Sequence, residues 1–272
     1  MLKTPRTALV VAGLLTALVA GSVHAKPRWK DLEKGLKHAK ELRADLHLGK
    51  ENEEKLGREV AAYLVDRHGL LQDEDRTRYI TLVGLTLARG TKREGIDYRF
   101  GILDTDAVNA YAAPGGWIFV TAGLLDKLSN EAELAGVLAH EIIHVDDKHA
   151  IKGFVKAKAL SALGEKMAEK SKFDSVVGDL IKGIADKGFP RADEFKADKD
   201  AIALMQSAGY TPFGLPGALK RLYGKQKTTL SKSFHSRHPP LSARQSRLKK
   251  RLKGIPQKEG RVLGRRFRGH LR

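Results

Sequence analysis

His140-Glu141-Ile142-Ile143-His144 sets two imidazoles four residues apart with a carboxylate beside the first, a set that can hold and use a metal ion. Residues four apart stack on one face of an α-helix, so His140 and His144 can share one Zn²⁺. Glu141 then lies beside the ion rather than on it, where a general base must sit to take a proton from water activated by the metal. The chemistry such a set performs is hydrolysis. It also requires a third protein ligand and one open position. His149 lies five residues after His144, which rotates it off the shared face, and it reads as a helix-end or packing histidine rather than a ligand. Glu194 and Asp198 are the stronger pair, four apart on one helix face, with Ala197, Ala201 and Ala208 small enough for close packing. Glu194 would complete the ligand set, and Asp198 would accept the free ring N–H of a ligand histidine and fix its tautomer. With Arg191, Lys196 and Lys199 nearby, the same segment also fits a solvated charged face. The chain contains no cysteine, so histidine and carboxylate alone must hold the metal, and a cysteine-linked lipid anchor is excluded.

These residues need rigid elements under them. Asn130 as N-cap, Glu133 three residues later, and Leu134, Val137, Leu138, Ile142 and Val145 at helical spacing predict a helix from Glu131 through the two histidines. Upstream, Trp29 to Ala44, Glu51 to Arg67 and Glu74 to Ala88 alternate charged and apolar residues at helical spacing, punctuated by Gly49, Gly69 and Gly90. Ile96 to Phe100 alternates with period two, and Ala107 to Tyr111 and Trp117 to Thr121 flank the turn-forming Pro114-Gly115-Gly116. The reading is an α+β fold, a mainly helical core with a small antiparallel β-sheet beside the active-site helix. An extended peptide can add to a sheet edge by backbone hydrogen bonds. Gly115, Gly116, Trp117, Ile118 and Phe119, running on to Val120, are taken as that edge and as substrate-binding residues. Residues 150 to 188 carry Gly153, Gly164, Gly178, Gly183 and Gly188 and read as helices broken by flexible points, either a lid over the cleft or connecting structure.

Taken in order, these segments resemble the gluzincin family of zinc metalloproteases that includes the HtpX heat-shock protease, the CAAX prenyl protease and the periplasmic beta-barrel assembly-enhancing protease. The resemblance runs from about residue 50 to about residue 250 and rests on Asn109 to Leu125, on His140, Glu141 and His144, on Glu194 with Ala197-Asp198, on Gly209-Tyr210-Thr211-Pro212, and on Ser236-Arg237-His238-Pro239-Pro240 with Arg244 after it. It implies a zincin-like core with one zinc per chain on His140, His144 and Glu194. It further implies Glu141 as base, Asp198 as partner of a ligand histidine, and His238 near the metal or stabilising an oxyanion. His238-Pro239 also fits the end of a loop before a helix starting near Leu241.

At 272 residues and 42% hydrophobic content the chain can bury one good core. Lys3 and Arg6, the apolar run Ala8 to Ala20 and the small-residue pattern ending at Ala25 predict a signal peptide over 1–25, with a metalloprotease domain over 26–253. No later apolar run approaches the roughly 20 residues that span a bilayer, so a periplasmic or secreted protein is expected. The formal net charge of +18 is uneven, with twelve Lys or Arg between Arg244 and Arg272 against the single acid Glu259. Residues 254–272 therefore read as a basic tail, either suited to an anionic membrane or envelope surface or a solvated, frayed terminus. It lacks the aromatic interleaving of a nucleic-acid binder, and no nucleic-acid partner is expected. The function expected is an exported zinc endopeptidase acting on unfolded or misassembled envelope polypeptides; the alternative is a zinc-containing chaperone-like protein with little turnover.

Overall fold

In the computed structural model the described residues are 49–153, 178, 183, 188–223 and 238–271. The expected leader, the helix read at Trp29 to Ala44, and most of the connection expected to be a lid or linker lie outside them. Helix α1 (Lys50–His68) has Glu51 and Glu53 in its first turn and Arg67 and His68 in its last, the order that complements the helix dipole. It buries Leu56, Gly57, Val60, Ala61 and Leu64. Helix α2 (Glu74–Ala88) starts where Asp73 accepts the Arg76 N–H at 2.9 Å, and it buries Tyr79, Ile80, Val83 and Leu87.

Strands β1 (Arg99–Leu103), β2 (Ala110–Ala113) and β3 (Trp117–Thr121) follow, joined in part by a 3-10 turn at Pro114–Gly116. Gly115 and Gly116 have φ of 72° and 97°, and a Cβ on Gly116 would lie 2.6 Å from the Asp97 carbonyl oxygen, so this turn requires glycine. The sheet has the order β1-β3-β2. The hairpin is antiparallel, with Ala112 opposite Ile118, but β1 runs parallel to β3, with Phe100 opposite Ile118. The sheet is therefore mixed rather than antiparallel. Its first two strands lie about three residues later than alternation predicts because Phe100 to Leu103 and all of β2 are buried, which leaves no polar face to alternate.

Helix α3 (Ala122–Leu125) leads to α4 (Glu131–Asp146), every residue of which is buried. Its start is doubly bonded: Asn130 accepts the Glu133 N–H at 3.0 Å, and Glu133 reaches back to the Ser129 N–H at 2.8 Å. Helices α5 (Arg191–Ser207) and α6 (Gly214–Tyr223) flank it. Ala197 and Ala201 are fully buried, and a Cβ on Gly136 would sit 2.7 Å from the Leu215 backbone, so small residues set these close approaches. The core is built from Leu134, Leu138 and Ile142 of α4 with Val83, Leu87, Ile202, Met205 and Leu219.

Helices α7 (Leu241–Arg251) and α8 (Gly264–Leu271) complete the described elements. The segment read as a basic tail is not a free terminus. Phe267 and Leu271, one turn apart on α8, are buried in the core, and Arg266 pairs with both oxygens of fully buried Glu131 at the start of α4. The Tyr79 and Tyr210 hydroxyls also donate to Glu131, each at 2.6 Å. Burial opposes the charge on Glu131, but these bonds outweigh it and hold the carboxyl below its ordinary range. Ending the chain near Lys253 would thus strip the core. Phe267→Ala is expected to cost about 3–5 kcal/mol, as for other buried aromatic truncations, read as a lower urea midpoint; an unchanged midpoint would mean that α8 does not pack here. Among the described residues no helix is long and apolar enough to cross a membrane.

Candidate metal centre

One turn of α4 separates His140 from His144, and their Nε2 atoms lie 3.1 Å apart. Glu194, in the first turn of α5, presents its carboxylate to both: Oε2 is 3.6 Å from His140 Nε2, and Oε1 is 3.6 Å from His144 Nε2. All three side chains are buried, and their ligand atoms lie within 4.8 Å of one another.

Hydrogen bonding assigns the ring protons. His140 Nδ1 lies 3.1 Å from Asp198 Oδ1, so that nitrogen carries a proton and Nε2 is the atom left to ligate a metal. Arg244 in turn fixes Asp198, with Nε 2.8 Å from Oδ2 and Nη2 2.5 Å from Oδ1. Burial works against the Asp198 charge, yet the guanidinium holds the carboxyl well below the usual range. Glu194 Oε1 is buried and has no hydrogen-bond partner. Two Nε2 atoms 3.1 Å apart facing an unpartnered, buried carboxylate oxygen form a polar cluster that a cation would join and satisfy. The residues present therefore fit a metal ion.

Without a cation the buried groups of the site hold protons that a metal ion would displace. Burial disfavours charge on His140, but Asp198 and Glu194 overcome it and raise the ring to about 9. For His144, burial and then the nearby His140 drive the ring well below its ordinary value. Glu194 is held well below the carboxylate range despite burial, chiefly by His238 and His140. Glu141 is buried, and burial pushes its carboxyl up to about 7.

The remaining expected residues divide. His238 is half-buried with Nδ1 2.6 Å from Glu194 Oε2, and its loop is anchored where the Tyr223 hydroxyl donates to the Pro239 carbonyl at 2.5 Å. Gly115, Gly116, Trp117, Ile118 and Phe119 do not form a sheet edge. Strand β3 is the central strand, paired on both sides, and Gly115 donates its N–H to Glu53 of α1 at 3.2 Å. The hairpin sequence foretells the β2–β3 pair but not that β1 closes the other side of β3. Ala112 and Ala113 of β2, with Pro114, instead line a hollow shared with His144, Lys148 and Ile151. Two contacts went unread in the sequence. Arg244 has no local signal for its burial beside Asp198, and His149 Nδ1 lies 2.9 Å from His144 Nδ1.

A helix-borne His-His-Glu centre beside a small mixed sheet is the arrangement expected of a metal-dependent hydrolase. The chain belongs to peptidase family M48, whose sequence model matches residues 74–252. It is similar to the "Beta-barrel assembly-enhancing protease" of Yersinia pestis, 27% identical over 166 residues that cover 56% of this chain and 34% of that protein. It is similar also to "Metalloprotease YcaL" of Escherichia coli, 27% identical over 176 residues covering 63% of this chain and 68% of that one. "Mitochondrial metalloendopeptidase OMA1" of Arabidopsis thaliana is 30% identical over 150 residues, covering 54% and 30% of the two chains. The chain spans about a third of the length of the beta-barrel assembly-enhancing proteases it matches. Membership in this family agrees with the metalloprotease domain that the His-His-Glu centre indicates.

Proposed function

We propose that this protein is a zinc endopeptidase, exported to the periplasm or secreted, that cleaves unfolded or misassembled polypeptides of the cell envelope. The observation that carries the reading is the buried His140, His144 and Glu194 triangle with its unpartnered carboxylate oxygen, set beside a carboxyl pushed up to about 7. Two imidazoles and one carboxylate are the donor set of catalytic zinc, and they would hold one ion per chain. Bound there, zinc supplies Lewis acidity towards water and towards a peptide carbonyl.

The protein's own groups do the rest. Glu141 takes and returns the proton, Asp198 with Arg244 keeps the His140 lone pair directed inward, and His238, against the same Glu194 oxygen that faces His140, can donate to a developing oxyanion. Substrate adds along β2 rather than β3. The Thr121 N–H bonds the Asn109 carbonyl at 3.0 Å, so alternation along the antiparallel ladder turns the N–H and C=O of Ala110 and Ala112 away from β3. A peptide hydrogen-bonded to Ala112 would run past His144, and backbone bonding suits clients of varied sequence. Residues 26–253 would then need the packed C-terminal segment to act as a unit. Among its cations, Arg244, Arg261 and Arg266 bond protein groups, while Lys249, Lys250, Arg251 and Lys253 on or just after α7 remain to meet an anionic envelope surface.

Cleavage of casein or an unfolded outer-membrane client by the purified chain, abolished by a chelator and restored by zinc, is the expected result. A chain that loads zinc and holds clients without cutting them would favour the chaperone-like alternative.

A further inference from the structure

We propose that His149 is a positioning residue for the metal centre, accepting the Nδ1–H of His144 so that the His144 Nε2 lone pair is held toward the ion. This rests on the metal-centre reading above.

The two Nδ1 atoms, 2.9 Å apart, share a single proton. His144 can ligate through Nε2 only if its own proton is on Nδ1, so His149 Nδ1 must be the acceptor. His149 then carries its proton on Nε2, which faces the carboxylates of Asp147 and Asp193 at 3.7 Å each. Those two acids favour the tautomer that His144 needs. The ring of His149 is 1% exposed, so water does not compete for its Nδ1.

A continuous helix could not make this contact, because five residues correspond to about 140° of rotation away from the shared face. Helix α4 ends at Asp146, and Lys148 takes φ 55°, a left-handed conformation rare outside glycine. The chain then resumes a helical turn and returns the His149 ring against His144, with centroids 4.9 Å apart at 71°. Backbone strain of this kind persists where surrounding structure enforces it, often at functional sites. Phe189 stacks on His144 at 4.1 Å and 17°, so the imidazole is fixed in plane as well as in tautomer. The two ligand histidines thus use different partners: a carboxylate braced by arginine for His140, and a second imidazole for His144.

The test compares zinc affinity, by chelator competition, in wild type, His149→Asn and His149→Leu. Asparagine puts an amide oxygen near the Nδ1 position, whereas leucine fills the space without an acceptor. Leucine is expected to weaken zinc binding by roughly 10- to 100-fold, the usual scale for a group that orients a ligand, and asparagine to restore most of it. Wild-type affinity in His149→Leu, or an asparagine variant as weak as leucine, overturns the proposal. Wild type that binds no zinc, or binds it equally after His144→Ala, overturns the metal-centre reading itself. Long-range ¹H–¹⁵N correlation of the zinc-loaded wild type needs no variant: protons are expected on His144 Nδ1 and His149 Nε2. A proton on His149 Nδ1 overturns the assignment even if the leucine variant fails to fold.

Discussion

Glu141→Gln should keep the fold and the metal while losing peptide cleavage by about 10²- to 10⁴-fold, the usual worth of a positioned general base. The amide matches the carboxylate in shape and cannot take a proton. Burial dominates the environment of this group and pushes its carboxyl from 4.5 up to about 7, with His140 and Arg244 drawing it back and Glu194 adding to the rise. A carboxyl raised in this way is a base only above its pKa, so turnover should increase as pH rises through it. A bound cation would favour the ionised form and move that limb down from about 7. The check is kcat/KM for a short peptide across pH, with zinc content measured on both proteins. Cleavage by Glu141→Gln at the wild-type rate would remove the base assignment.

Much of this was legible in the residues, and the exceptions have physical causes. Helices α2 and α4 are readable because a capping side chain, Asp73 or Asn130, marks where the apolar period begins. The i, i+4 spacings place His140 with His144 on one helix and Glu194 with Asp198 on another. Small residues at Ala197 and Ala201 signal that the second helix packs closely. Sheet order is a different kind of fact. It depends on which strand comes to lie between the other two, and no local pattern in Trp117 to Thr121 records that β1 pairs on its far side.

The C-terminal segment misleads because its charges outnumber its signal. Phe267 and Leu271 carry the apolar face of α8, and they stand among Arg265, Arg266 and Arg268. The cation that looks most like solvated tail, Arg266, closes a buried cluster at the start of the metal-bearing helix. The rotation that turns His149 away from His144 holds only on a continuous helix, and α4 ends at Asp146. A lysine at φ 55° leaves no mark in the sequence.

Changing His140, His144 or Glu194 to alanine should each take the protein from about one zinc per chain to little or none, because each removes one of three ligands from a site with no other donor set as close among the described residues. The geometry separates these from their supporting groups. Asp198 touches His140 Nδ1 rather than Nε2, so Asp198→Asn should lower affinity by roughly 10- to 100-fold and leave the site able to load at high zinc. Stability gives a second reading. A ligand that binds only the folded state adds about 2.7 kcal/mol at a hundred times its Kd, so zinc should raise the thermal midpoint of wild type and of Asp198→Asn at matched saturation. It should leave the three alanine variants unmoved. Equal zinc content in Glu194→Ala would point to His238, whose Nδ1 already lies 2.6 Å from that carboxylate, as the group that completes the set. A full loss in Asp198→Asn would make that residue a direct ligand, against the contact it makes with the far side of the His140 ring.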